Sequence, residues 1–137
     1  MDVLSNKTAI ITGGGSGVGK AIALALAAQK VNICLVGRRL NLLEVVADEA
    51  RRFGARGTCF SADLASEIEL RDVIGKLTAD AGAVDILVHS AAIVERAGVD
   101  SAPPESLDRH YQVNVRAPYV LTRALLPMLR SRKGDVV

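Results

Sequence analysis

The sequence predicts a doubly wound α/β fold, a parallel sheet layered between helices. Three observations predict it. Short β-rich runs alternate with longer helical patterns along the whole chain. A glycine-rich loop joins the first run to the first helix. Hydrophobic residues make up 50% of the 137 and aromatics only 3%, an aliphatic composition suited to parallel strands covered on both faces.

The elements follow in order. Lys7 to Thr12 reads as a first strand, and Ser16 to Gln29 as an Ala-rich helix with Ile22 and Leu26 stacked on one side. Val31 to Val36 is a second strand. Asn41 to Phe53 is a helix opened by an Asn41/Glu44 capping box, with Leu42, Val46, Ala50 and Phe53 facing inward. Arg56 to Ser61 is a third strand. Ser66 to Ala81 is a helix with a Ser66/Glu69 capping box and a stripe of Leu70, Val73, Leu77 and Ala81, stopped by Gly82. Asp85 to His89 is a fourth strand. Pro103-Pro104 opens a helix to about Val113. A further helix spans about Val115 to Arg130, with Pro127 expected to kink or shorten it. Gly134 to Val137 reads as the start of a fifth strand. Right-handed crossovers then give a parallel sheet with a ligand at the strands' carboxyl ends.

Composition narrows the function. A net charge of +2 points to neither a nucleic-acid nor a membrane partner, and no apolar run has the length of a membrane span. The first seven residues lack the pattern of a signal peptide. The two cysteines, Cys34 and Cys59, lie in apolar runs and read as buried thiols of a reducing, cytoplasmic setting. His89 and His110 have no second ligand at metal-site spacing, so no metal is expected. His89 reads as a strand-end residue satisfied by backbone.

The segment Thr12-Gly13-Gly14-Gly15-Ser16-Gly17-Val18-Gly19 carries the most chemistry. Glycine lets a ligand approach the backbone, and the helix beyond it offers free N–H groups to a pyrophosphate. Gly19 is expected to let the helix pack closely. The dinucleotide spacing G-x-G-x-x-G does not fit, because Val18 stands where a glycine is needed. The phosphate-loop spacing nearly fits over Gly14 to Lys20, but Ala21 replaces the hydroxyl that would hold magnesium. The pattern T-G-x-x-x-G-x-G fits throughout. An NTPase and a catalytically inert nucleotide-binding module remain alternatives to an oxidoreductase at this point.

In that position the pattern resembles the short-chain dehydrogenase/reductase family, and the resemblance runs along essentially the whole chain. It implies a Rossmann-like, three-layer α/β/α domain over 1–137, incomplete at its C-terminal edge. It also implies cofactor contacts from Thr12, Gly13, Gly15, Ser16, Gly17, Val18 and Gly19. The second strand ends in Arg38-Arg39 where the family's NAD-selective members carry an acid. An arginine fork there pairs with a 2′-phosphate, so the implied cofactor is NADP(H) in preference to NAD(H). Asp63-Leu64 matches the family's adenine-contacting pair. His89-Ser90-Ala91-Ala92 stands where the family has Asn-Asn-Ala-Gly, with Ser90, Ala91 and Ala92 placed to pass the ribose and nicotinamide. Asn114, in Val113-Asn114-Val115, matches the active-site Asn, which in the family supports a water linked to the catalytic lysine.

The family moves hydride between nicotinamide and an alcohol or carbonyl substrate, using a Ser and a Tyr-x-x-x-Lys that follow the fifth strand. The chain reaches only that strand. Tyr111 has Val115 four residues on and Tyr119 has Arg123; arginine does not change charge at working pH, and both tyrosines read as helix residues. The expectation is therefore a cofactor-binding fragment of a longer enzyme, marginally stable or oligomeric alone because of its exposed sheet edge. The resemblance further implies a homo-oligomer joined through the helices around Asn114 to Arg130.

Overall fold

The computed structural model describes residues 2–137. The five apolar runs become β1 (Thr8–Thr12), β2 (Asn32–Gly37), β3 (Gly57–Ser61), β4 (Ile86–His89) and β5 (Asp135–Val136). Between them lie α1 (Gly17–Ala28), α2 (Leu40–Arg52), α3 (Glu67–Asp80), α4 (Pro104–Tyr111) and α5 (Ala117–Arg132). The strands form one parallel sheet in the order β3-β2-β1-β4-β5. The chain winds outward from β1 in one direction and then returns to its other side. The reversal falls between β1 and β4, and their carboxyl ends flank the crevice such a reversal opens.

The two-residue period of the strands sorts the core into two layers. Ala9, Ile11, Ile33, Leu35 and Val88 pack under α1 and α2. Ile10, Cys34, Val36 and Leu87 pack under α3 and α5, against Leu70, Val73, Leu77, Leu121 and Leu125. This is the doubly wound, three-layer plan read from the sequence. Cys34 and Cys59 are both free thiols, and burial pushes the first up to about 11 and the second to about 12. Asp85 is a buried carboxylate with both oxygens used. Oδ2 accepts the Thr8 N–H at 2.9 Å and Oδ1 accepts from Arg132 Nε at 3.0 Å, tying the start of β1 to the end of α5.

Several local details differ from expectation. Helix α1 buries Gly19, Ala23 and Ala27, while Ile22 and Leu26 are only half-buried; the small residues let the helix lie close to the sheet. Helix α2 starts at Leu40, capped by the Arg39 backbone with no side-chain bond, so no Asn41/Glu44 box forms. Its buried face turns accordingly to Leu43, Val46, Ala47 and Ala50, and Phe53 stays 48% exposed. The helices on either side of Asn114 are continuous, joined by a π-helical segment over Gln112–Arg116. Pro127 lies inside α5 without ending it. Both Pro127 and Arg123, whose carbonyl loses its helical partner, are exposed, so water can take that bond.

Candidate functional site

A groove of about 330 Å³ opens at the carboxyl ends of the strands, along the β1–β4 reversal. Its floor is the glycine loop. Gly13, Gly15, Ser16, Gly17 and Val18 line it, and α1 begins there with Ser16 as the residue before its first turn. The Ser16 side chain makes no capping bond and the first turn holds no acid. The first N–H groups of α1 are therefore left to whatever enters the groove. Gly17 adopts φ +54°, and a Cβ there would meet nothing within 4 Å, so a ligand could approach the backbone. Gly19 faces inward, where an added Cβ would run into the Gly13 carbonyl and stand 3.0 Å from Ser90 Oγ. The close packing expected of Gly19 is thus against the loop itself.

One end of the groove is basic. Arg38 and Arg39 follow β2, line the groove and are exposed. Among the described residues neither has a carboxylate within salt-bridge distance. Below them Asp63 and Leu64 form the wall after β3. Asp63 is held as a turn: Oδ1 accepts from the Ala65 N–H at 3.0 Å, and Arg109 of α4 stands 3.6 Å from Oδ2. The opposite wall is Ser90, Ala91, Ala92 and Ile93, running on from β4. Thr12 fixes its beginning, its Oγ1 accepting the N–H groups of Ser90 at 3.2 Å and Ala91 at 3.1 Å while donating to the Val88 carbonyl at 3.4 Å.

Three of the residues read from the sequence as site residues do not line the groove: Thr12, Gly19 and Asn114. Thr12 and Gly19 are buried behind it and shape it from there. Asn114 is not a helix cap. Its Oδ1 accepts the Ile93 N–H at 2.9 Å and its Nδ2 donates to the Ile93 carbonyl at 2.8 Å. Lys20, the lysine of the phosphate-loop-like spacing, lies 3.7 Å from Glu49 of α2 and takes no part in the groove lining. His89 is satisfied by the Thr122 hydroxyl at 2.7 Å rather than by backbone, and burial holds its imidazole below the ordinary value of 6.5. Among the described residues no cluster of His, Cys, Asp or Glu could hold a metal ion, and no helix is long and apolar enough to cross a membrane.

Sequence reasoning missed Leu42, Leu43, Arg109 and Val113, all of which line the groove. Arg109 and Val113 sit four apart on one helical face, which was legible as periodicity. That this face meets Asp63 depends on tertiary placement.

Comparison with known proteins agrees with this geometry. The profile of the short chain dehydrogenase family matches residues 7–137. A short chain dehydrogenase of Pseudocercospora fijiensis is 37% identical over 98% of this chain and 44% of its own length. D-beta-hydroxybutyrate dehydrogenase of Cupriavidus necator is 33% identical over 95% of this chain and 50% of its own. Among solved structures, L-sorbose reductase of Gluconobacter frateurii, complexed with NADPH and L-sorbose, superposes with a TM-score of 0.91 at 32% identity, covering 99% of this chain and 53% of that one. The chain spans about half the length of the curated relatives it matches.

Proposed function

The chain belongs to the short chain dehydrogenase family, and we propose that it is the NADP(H)-binding part of an oxidoreductase acting on a small alcohol or carbonyl substrate. One observation carries the reading. The groove joins an uncapped helix start to two arginines that have no carboxylate partner among the described residues, and no acid stands at the end of β2. An uncapped helix start suits a pyrophosphate, and an arginine pair suits a ribose 2′-phosphate that a carboxylate would repel. The NADPH held by the sorbose reductase supports the same choice.

In this reading Gly15 to Val18 receive the pyrophosphate, Arg38 and Arg39 the 2′-phosphate, and Asp63 with Leu64 the adenine. Ser90, Ala91 and Ala92 pass the nicotinamide half. Thr12, Gly19 and Asn114 act from behind, holding loop and wall in place. When bound, such a cofactor would supply hydride-transfer chemistry. No Tyr-x-x-x-Lys occurs among these 137 residues, and no proton-transfer role is assigned to them. The domain reading of 1–137 as a cofactor-binding unit and a cytoplasmic setting belong to the same proposal. So does a homo-oligomer, supported by Leu107, Tyr111, Val115 and Tyr119, spaced four apart and between 55% and 72% exposed.

Titration with NADPH, NADH and ATP tests the cofactor reading. NADPH is expected to bind more tightly than NADH. Magnesium-dependent ATP binding in preference to both would replace the reading with that of an NTPase.

A further inference from the structure

The wall of the groove after β4 is unusual in how it is held. From Ser90 through Gly98 the chain makes no turn, bend or strand pairing. Among the described residues, no backbone–backbone hydrogen bond is made by the groups from Ser90 to Ala97. Instead, the amides of Ser90, Ala91, Ile93 and Glu95 are taken by side chains. Thr12 Oγ1 accepts from Ala91, Asn114 Oδ1 from Ile93, and His110 Nε2 from Glu95 at 3.0 Å. These anchors stand in for the neighbouring strand that would otherwise hold that edge.

The last anchor is built with some care. Ser106, His110 and Asn114 are spaced four apart on one side of the helical run. His110 Nδ1 donates to the Ser106 carbonyl at 2.6 Å, which leaves Nε2 as the acceptor for Glu95. The Ser106 hydroxyl donates to Glu95 Oε2 at 2.7 Å, so Glu95 is gripped through both backbone and side chain. The neighbouring side of the same helix puts Arg109 and Val113 into the groove. One helix thereby supplies part of the groove lining and holds the wall beside it.

We propose that His110, set by Ser106, is a positioning residue for the groove: it holds Glu95 and so fixes the Ala91–Ile93 wall against which the nicotinamide half of the cofactor lies. The contact with the cofactor rests on the function proposed above; the grip on the wall does not. Losing one such hydrogen bond is expected to cost roughly 3–10-fold in equilibrium.

The test compares His110→Phe with His110→Gln in the full 137-residue chain. Phenylalanine keeps a ring and loses the acceptor, whereas glutamine places an oxygen at about the reach of Nε2. Two quantities are read: hydrogen exchange of the Glu95 and Ile93 amides without nucleotide, and NADPH affinity. His110→Phe is expected to speed Glu95 exchange and weaken NADPH roughly 3–10-fold, with both restored by His110→Gln. Glutamine behaving like phenylalanine, or phenylalanine like the wild type, would overturn the proposal. If His110→Phe does not fold, His110→Leu takes its place, compared with His110→Gln by the same two quantities. If the wild-type chain binds no NADPH, the cofactor reading fails, and the Glu95 exchange comparison still decides whether His110 holds the wall.

Discussion

Helices α1 and α3 both begin at loops that follow parallel strands, and they begin in opposite ways. At α3 the Ser66 hydroxyl accepts the Glu69 N–H at 3.3 Å, and Glu67 and Glu69 put negative charge in the first turn. At α1 the Ser16 side chain makes no capping bond, and the first turn is Gly17, Val18, Gly19 with no acid. The helix dipole favours an anion at each of these two starts. α3 supplies that anion from its own sequence, while α1 leaves the place open inside a groove. The difference separates a helix start closed by its own residues from one left open in the groove.

The comparison can be broken most severely at Gly19. Gly19→Val forces side-chain carbons into the Gly13 carbonyl. It is expected to cost about 3 kcal/mol of stability and to abolish NADPH binding; calorimetric titration at a temperature where the variant stays folded checks this.

Next comes the basic end of the groove. Arg38→Ala removes a charge-assisted contact worth about 1.5–3 kcal/mol. NADPH affinity should fall by roughly 10–100-fold with NADH affinity little changed. Equal losses for both would remove Arg38 from 2′-phosphate recognition.

The two helix starts can also be exchanged in chemistry. Ser16→Asp gives α1 the acid it lacks, adding about 0.3–1 kcal/mol of helix stability while repelling a pyrophosphate. Ser66→Ala takes the cap from α3 and should cost ~1 kcal/mol with no change in NADPH affinity. Thermal melts paired with nucleotide titrations read both. A fall in stability for Ser16→Asp, or a loss of binding for Ser66→Ala, would erase the contrast.

The smallest effect concerns a polar group already satisfied within the protein. Burial lowers the His89 imidazole below 6.5, so between that value and its folded value the unfolded chain binds the extra proton. Stability is then complete above pH 6.5 and declines as the pH falls below it. His89→Asn should flatten that part of a melting-temperature profile, and an unchanged slope would assign the acid sensitivity elsewhere.

Much of this was legible in the sequence because it is local. The glycine loop, Arg38-Arg39 and Asp63-Leu64 each sit just after a strand, so chain order alone places them on one edge of the sheet. Capping was read less well. Ser66 caps α3, but Glu69 reaches the Asp63 N–H instead of closing the box on Ser66. Asn41 and Glu44 share the pattern without forming a cap, which turned the expected α2 face away from Leu43 and Ala47. What sequence could not show were roles created by contact between distant segments. Arg109 acquires a partner 46 positions earlier, and His110 and Asn114 hold backbone that follows a different strand. Periodicity gave the helical face, and only the packed structure gave what that face touches.

Backbone amide shifts during an NADPH titration address the contrast between the two helix starts most directly. The amides of Gly15 to Gly19 should move and saturate together, while those of Glu67 to Glu69 stay in place. Unmoved Gly15 to Gly19 amides at saturating nucleotide would contradict the assignment of the α1 start as the phosphate site.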